Sequence, residues 1–386
     1  MGLLFPGAVI RRERLRRNWS QEGLCRGICV VSYLSKIEQG KTEASPEVLR
    51  LLFERLGVPW YDDRATLDAA EALAERCYEA VLACDEPACA ALRAEFAGFE
   101  ARMAASPHAP DAALLHGLLS RPQAPADPVF EPFFDRRRLA LQRMLQDRDE
   151  EAMRLYPCAL FALTAGIRAY GQGENYAAAL GQLSDACDMA AREGYVRILM
   201  LARLYMGSCY CNQADIESMN AQYRVAERIA GALGDAEVLH TIRYNTASAC
   251  LETGRFDEAY RFFSAVEEPT VMELHKLAVC CEKLGRTAEA LAALDRAEGK
   301  ESVYPDTALA HAMCALVRYR LSHLDYLGHP AYGDALLQVF GECRRTLPIG
   351  YAAFHLPWVL EWHTASRQYR AAYELLRDFP IKLPLK

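Results

Sequence analysis

The chain has 386 residues, 52% of them hydrophobic, and a formal net charge of −7, enough apolar material for a substantial core and length enough for two domains. No apolar run reaches the roughly 18 residues of a membrane span, and the start, MGLLFPGAVIRRERLRR, lacks the order of charge, apolar stretch and cleavage site that marks a signal peptide. Pro6 argues against myristoylation at Gly2, so a cytoplasmic protein without a membrane partner is expected. The fourteen cysteines form no C-x-x-C pair, and most sit among Ala and Leu, where a thiol acts as a small hydrophobe.

Charge is divided unevenly. Residues 1–58 hold ten Lys/Arg against six Asp/Glu, a balance of +4, which leaves −11 for the rest. A basic head on an acidic body concentrates the attraction for phosphate on one small domain. Residues 9–18 read as a basic helix. Ser20 suits the N-cap of a short helix opening SQEGL, with Leu24 and Ile28 on one face. Residues 27–29 interrupt that pattern before Leu34 and Ile37 begin another face, and Gly40 supplies a left-handed stop. Ser45-Pro46 opens a further helix carrying Val48, Leu49, Leu52, Phe53 and Leu56. Two short helices joined by a tight turn, propped from both sides, leave the second free to enter a major groove. Position makes Val30, Val31, Ser32, Tyr33 and Lys36 the candidates for base edges, the valines by apolar contact with thymine methyls. Lys41 and Arg17 are candidates for phosphate.

From about residue 64 onward the chain is rich in Ala, Leu, Glu and Arg, with helical periodicity and no alternating stretch. Helices are expected over 66–84, 86–104 and 130–146, with a Pro-rich break, SPHAPD and RPQAPADP, before the last. Residues 254–269 and 285–298 are copies offset by 31, matching Gly254 with Gly285, Ala259 with Ala290 and Phe263 with Leu294. Looser copies lie at 174–187 and 367–376, and Ala247 and Ala278 are small residues upstream. Antiparallel helix pairs of about this period are the tetratricopeptide pattern, and about five stacked copies are expected between 150 and 380. The fold expected is all-α: a helix-turn-helix domain over 1–63, a divergent helical linker over 64–148, and a tetratricopeptide-like α-solenoid over 149–386. PIKLPLK at the end reads as a tail or cap.

In such a stack the first helix of each pair lines a concave groove, and an extended peptide lying there needs polar side chains for its main chain. The groove positions are Arg168 and Gln172; Ser208 and Asn212; Tyr244, Asn245, Ser248 and Glu252; and His275 and Glu282. Asn212 and Asn245 stand out because an amide both donates and accepts. The nine histidines are dispersed, and G-x-x-x-x-G-K-[ST], H-E-x-x-H and G-x-S-x-G are all missing. No catalytic residue, metal or cofactor is expected, and an enzyme is not.

With Arg14, Ser20-Gln21, Leu24 and Ile37-Glu38-Gln39-Gly40-Lys41 in place, residues 8–58 resemble the Xre/Cro-type helix-turn-helix family. The wording GIC-x-x-SYLSKIE-x-GK is similar to the DNA-binding module of the peptide-pheromone-responsive regulators, the group containing the PlcR, NprR and Rgg types, in which helical repeats follow. The resemblance implies that Gln21 contacts a phosphate and braces the recognition helix. It also implies that Arg14 and Glu38 form an internal ion pair, and that groove asparagines hold a peptide backbone. The expected protein is a DNA-binding transcriptional regulator whose repeats bind a short signalling peptide, acting as a homodimer on a two-fold double-stranded DNA operator. Two other readings stay open: a DNA-tethered protein–protein scaffold, as in the related Rap proteins, or an unregulated repressor whose repeats only oligomerise.

Overall fold

The structure is a computed structural model that describes residues 6–120, 122–172 and 176–379. Met1-Gly2 and the terminal PIKLPLK lie outside the described residues, as does the start of the looser repeat copy at 174–187. Among the described residues every regular element is helical.

The head consists of α1 (Pro6–Arg16), α2 (Gln21–Cys25), α3 (Val31–Glu38) and α4 (Pro46–Leu56). Its boundaries follow local chemistry. The Ser20 hydroxyl accepts the Gly23 N–H at 3.0 Å, and the Ser45 hydroxyl accepts that of Val48 at 3.4 Å. Gly40, at φ 67°, follows the end of α3 in the left-handed region. Ala8, Val9, Ile10, Leu24, Leu34, Ile37, Leu52, Phe53 and Leu56 form the buried core. Gly7 lets α1 cross α3, since a Cβ there would fall on the Ile37 carbonyl.

Next come α5 (Arg64–Leu82), α6 (Glu86–Ala104), α7 (Ala109–Leu119), a 3-10 turn at Pro128–Phe133, α8 (Arg136–Leu145) and α9 (Asp149–Leu155). The head does not stand apart from them. Ala109 and Phe130 belong to its core cluster, Arg12 lies over the Phe130 ring, and an Arg12 guanidinium N–H donates to the Ala104 carbonyl at 3.2 Å. These elements, with residues through Ala165 and Asp188–Ile198, make one compact unit.

Helix α7 falls in the interval where proline was expected to break the pattern. Pro110 sits in its first turn, where a missing N–H leaves no intrahelical bond unmade. The fully buried Asp111 then anchors it, accepting from Tyr78 Oη at 2.7 Å and Arg138 Nε at 2.5 Å and pairing with His108 Nδ1 at 3.0 Å. Burial alone would raise the Asp111 carboxyl; His108, Arg138 and Tyr78 outweigh it and hold it below the ordinary carboxylate value. The helix expected over 130–146 is divided, its first residues forming the 3-10 turn.

A second compact unit comprises Gly166–Cys187 and the chain from Leu199. The helices of this part of the chain are α10 (Ala159–Gln172), α11 (Ala177–Glu193), α12 (Val196–Asn212), α13 (Ile216–Leu233), α14 (Ala236–Glu252) and α15 (Phe256–Ser264). They continue as α16 (Val271–Lys283), α17 (Thr287–Ala297), α18 (Thr307–Ser322), α19 (Pro330–Thr346), α20 (Ile349–Ala365) and α21 (Tyr369–Asp378). Six successive helix pairs are thus present among the described residues, against about five expected. The matched repeat positions carry matched structural roles. Gly254 and Gly285 both take positive φ, and Ala259, Ala290, Phe263 and Leu294 are all buried. Met200 and Leu204 of α12, Met219 and Tyr223 of α13, and Val238 and Ile242 of α14 share a cluster, so each pair completes its core with the next.

Helix α20 packs on α16 through aromatic side chains. The His275 ring meets Phe354 edge-on at 5.8 Å and stacks on His355 at 6.1 Å. Burial, with Lys276 adjacent, pushes His275 well below its ordinary value and His355 down to about 4. An imidazole depressed in the folded chain contributes fully above its unfolded value, near 6.5, and loses that contribution as pH falls toward its folded value. His355 alone is expected to cost about 3 kcal/mol of stability between pH 7 and pH 4. Chemical denaturation across that range checks this: the loss on acidification should shrink in His355→Gln, and equal losses in both proteins would contradict it.

Candidate functional site

The outer face of α3 and its approach are unusually apolar for an exposed surface, with Val30 67% and Val31 42% exposed. Ser32 and Lys36 are exposed beside them, and Tyr33 is half-buried with its hydroxyl donating to the Glu43 carbonyl at 3.2 Å. The inner face holds Leu34, Ile37 and Glu38. Glu38, 2% exposed, accepts Arg14 Nε at 2.6 Å and Nη2 at 2.8 Å, and also Gln21 Nε2 at 2.8 Å. One carboxylate therefore ties α1, α2 and α3 together. Lys36 and Lys41 are exposed and make no ion pair among the described residues. Arg17 is engaged: its Nη1 donates to the Glu13 carboxylate at 2.7 Å and to the Glu13 carbonyl at 3.0 Å. Arg55 was not singled out from sequence, yet its Nη1 donates to the Leu24 carbonyl at 2.9 Å and the Arg26 carbonyl at 2.5 Å, bracing the turn before α3.

Within the second unit a cavity of about 310 Å³ opens among α10, α12, α14, α16 and the start of α20. Its lining includes Ser208, Asn212, Tyr244, Asn245, Ser248 and Glu252, which sequence periodicity placed on one face. The two asparagines are braced. Asn212 Nδ2 donates to Tyr170 Oη at 3.1 Å and to the Ser208 carbonyl at 2.9 Å; Asn245 Nδ2 donates to Tyr223 Oη at 2.8 Å. Neither Oδ1 accepts a hydrogen bond among the described residues, and that of Asn212 lies against Gly350 at the border of the cavity.

Four expected groove residues do not line this cavity. His275 is fully buried beneath α20, and Glu282 accepts from Arg320 Nε at 2.7 Å. The two are taken up by different neighbours: Phe354 and His355 of α20 cover His275, whereas Glu282 is held by Arg320 of α18. Arg168 and Gln172, on α10, are not in the lining either. Residues that sequence reasoning passed over take part instead: Tyr170, Lys276, Tyr304, Gly350 and Tyr351. Lys276 is 7% exposed and holds its ammonium 3.4 Å from the centroid of the Phe354 ring. Glu252 is open to the cavity but surrounded by protein. Burial pushes its carboxyl up and the Lys276 ammonium down, and the charge of each partly restores the other.

None of the fourteen cysteines is in a disulfide, and all but Cys29, Cys84 and Cys211 are buried. Burial pushes Cys77 up to about 11 and Cys84 up to about 12, which suppresses the reactive thiolate at neutral pH.

Comparison with known proteins bears on the two regions differently. Residues 10–62 match the helix-turn-helix family HTH_3. Among solved structures, the crystal structure of Bacillus thuringiensis PlcR in complex with the peptide PapR7 and DNA is similar at 16% identity. That match covers 77% of this chain and 93% of the other, with a TM-score of 0.20. No curated protein is similar to the chain.

Proposed function

From a head whose residues 10–62 belong to the helix-turn-helix family, we propose that this chain is a cytoplasmic, sequence-specific transcriptional regulator, acting as a homodimer, whose helical-repeat body binds a short peptide. The observation that carries the peptide reading is the pair of braced carboxamides, Asn212 and Asn245, which line a cavity built from first helices of successive pairs and whose Oδ1 atoms accept no hydrogen bond among the described residues. A peptide backbone presents N–H groups at intervals, and fixed acceptors take them without the entropy cost of ordering a mobile side chain. Ligand binding regulates DNA occupancy to the extent that the peptide prefers one conformation of the chain over another.

Selection from random duplex DNA by the full chain, with and without a library of random heptapeptides, tests the reading. A two-fold symmetric site whose occupancy changes with the peptides supports it; recovery of non-specific DNA alone refutes the regulator. The same selection separates the roles of two lysines. Lys36→Ala is expected to relax base preference as well as weaken binding, whereas Lys41→Ala weakens all sequences alike and lowers the salt slope by about one unit. Equal losses on selected and random DNA for both variants would contradict that division. Sedimentation of the full chain reports whether a dimer forms.

A further inference from the structure

We propose that the cavity contains a carboxylate subsite, in which Lys276 and the first turn of α20 hold an anionic group of the bound peptide. The inference rests on the peptide reading above and assigns the chemistry of one part of that site.

Lys276 is the reason. A lysine this buried is ordinarily paired, yet its ammonium makes no hydrogen bond and no ion pair among the described residues. The Phe354 face stabilises the charge but accepts none of its N–H groups in the manner of an oxygen. Glu252 attracts it from elsewhere in the lining without coming within ion-pair distance. Lys276 thus lines the cavity with its ammonium held on the Phe354 ring and no oxygen partner among the described residues.

The second observation is independent. Helix α20 is 17 residues long, its N-cap residue Pro348 has no side chain that can cap it, and Pro348, Gly350 and Tyr351 all border the cavity. Its positive end and the ammonium therefore favour an anion in the same space. Glu252 in the same lining disfavours a doubly charged group such as phosphate, while a single carboxylate followed by backbone N–H groups matches both the cation and the Asn212 and Asn245 acceptors. A space of about 310 Å³ accommodates one end or one short stretch of a peptide. The carboxylate comes from the peptide C-terminus or from an Asp or Glu side chain.

The test uses the full chain and a library of random heptapeptides in two forms, free acid and C-terminal amide, with captured peptides identified by mass spectrometry. Capture of free acids that falls at least tenfold on amidation, and falls equally in Lys276→Met, establishes the C-terminal source. Capture of amides enriched in Asp or Glu, again lost in Lys276→Met, establishes the side-chain source. Capture indifferent to terminal charge and to Asp or Glu content overturns the subsite and leaves the peptide reading standing. No capture of any peptide by the wild-type chain overturns both. The acid-against-amide comparison and the Asp or Glu enrichment are read on the unaltered protein, so the requirement for a carboxylate does not depend on how the variant folds; Lys276→Arg, which keeps the charge, should retain capture that Lys276→Met loses.

Discussion

Arg14→Ala is expected to unfold the DNA-binding head. The guanidinium forms two bonds to Glu38, at 2.6 and 2.8 Å, and a third to the Trp19 carbonyl at 2.7 Å, so it holds both the recognition helix and the turn leading into α2. Removing it strands a carboxylate that is only 2% exposed. Breaking a buried pair in this way costs about 3–5 kcal/mol, a large share of the roughly 5–15 kcal/mol that stabilises a whole folded unit. DNA binding should disappear, with loss of the chemical-shift dispersion of the head in NMR spectra. Arg14→Lys should recover little, because a single ammonium cannot reproduce the two-pronged contact. Near wild-type melting and DNA affinity for Arg14→Ala would mean that the pair contributes nothing to the fold.

Gly350→Val is expected to weaken peptide binding severely while leaving most helices intact. A Cβ at Gly350 falls on Asn212 Oδ1, and that carboxamide is held in place by its bonds to Tyr170 and to the Ser208 carbonyl. Either α20 moves outward or the amide surrenders both bonds. Overpacking of this kind costs about 1–3 kcal/mol, and each lost hydrogen bond adds about 1 kcal/mol. A loss of peptide affinity of roughly a hundredfold follows from misplacing the acceptor and narrowing the space together. Gly341→Ala is the control, since a methyl group there meets nothing within 4 Å and lies inside α19. It should stabilise the chain by about 1 kcal/mol through helix propensity. Unchanged peptide affinity in Gly350→Val would sink the assignment of this cavity.

The features legible in sequence share one physical character: they are set by residues close together along the chain. The Ser20 and Ser45 caps, the Gly40 stop and the buried faces of α3 and α4 follow from cap chemistry and a 3.6-residue period. The repeat was readable because Gly254 and Gly285 need the same left-handed backbone, and Ala259 and Ala290 the same close approach. The Arg14–Glu38 pair, although distant in sequence, was reached through family resemblance, and its geometry is as implied.

Adjacent residues on α16 mark where such reasoning stops. His275 was placed in the groove and Lys276 was passed over, yet the first is sealed beneath Phe354 and His355 while the second opens into the cavity. Periodicity says which residues of a helix share a face; it does not say which distant helix will cover that face. Proline spacing likewise hid α7, which persists because Tyr78 and Arg138, from elements on either side, satisfy the buried Asp111. What the sequence by itself determined was the helical class, the helix-turn-helix head, the repeat and the asparagine-bearing face, all encoded locally. The joining of the head core to Ala109 and Phe130, the lid that α20 forms over α16 and the exposure of Lys276 to the cavity were decided only by tertiary packing, because each depends on which remote apolar surface completes a core.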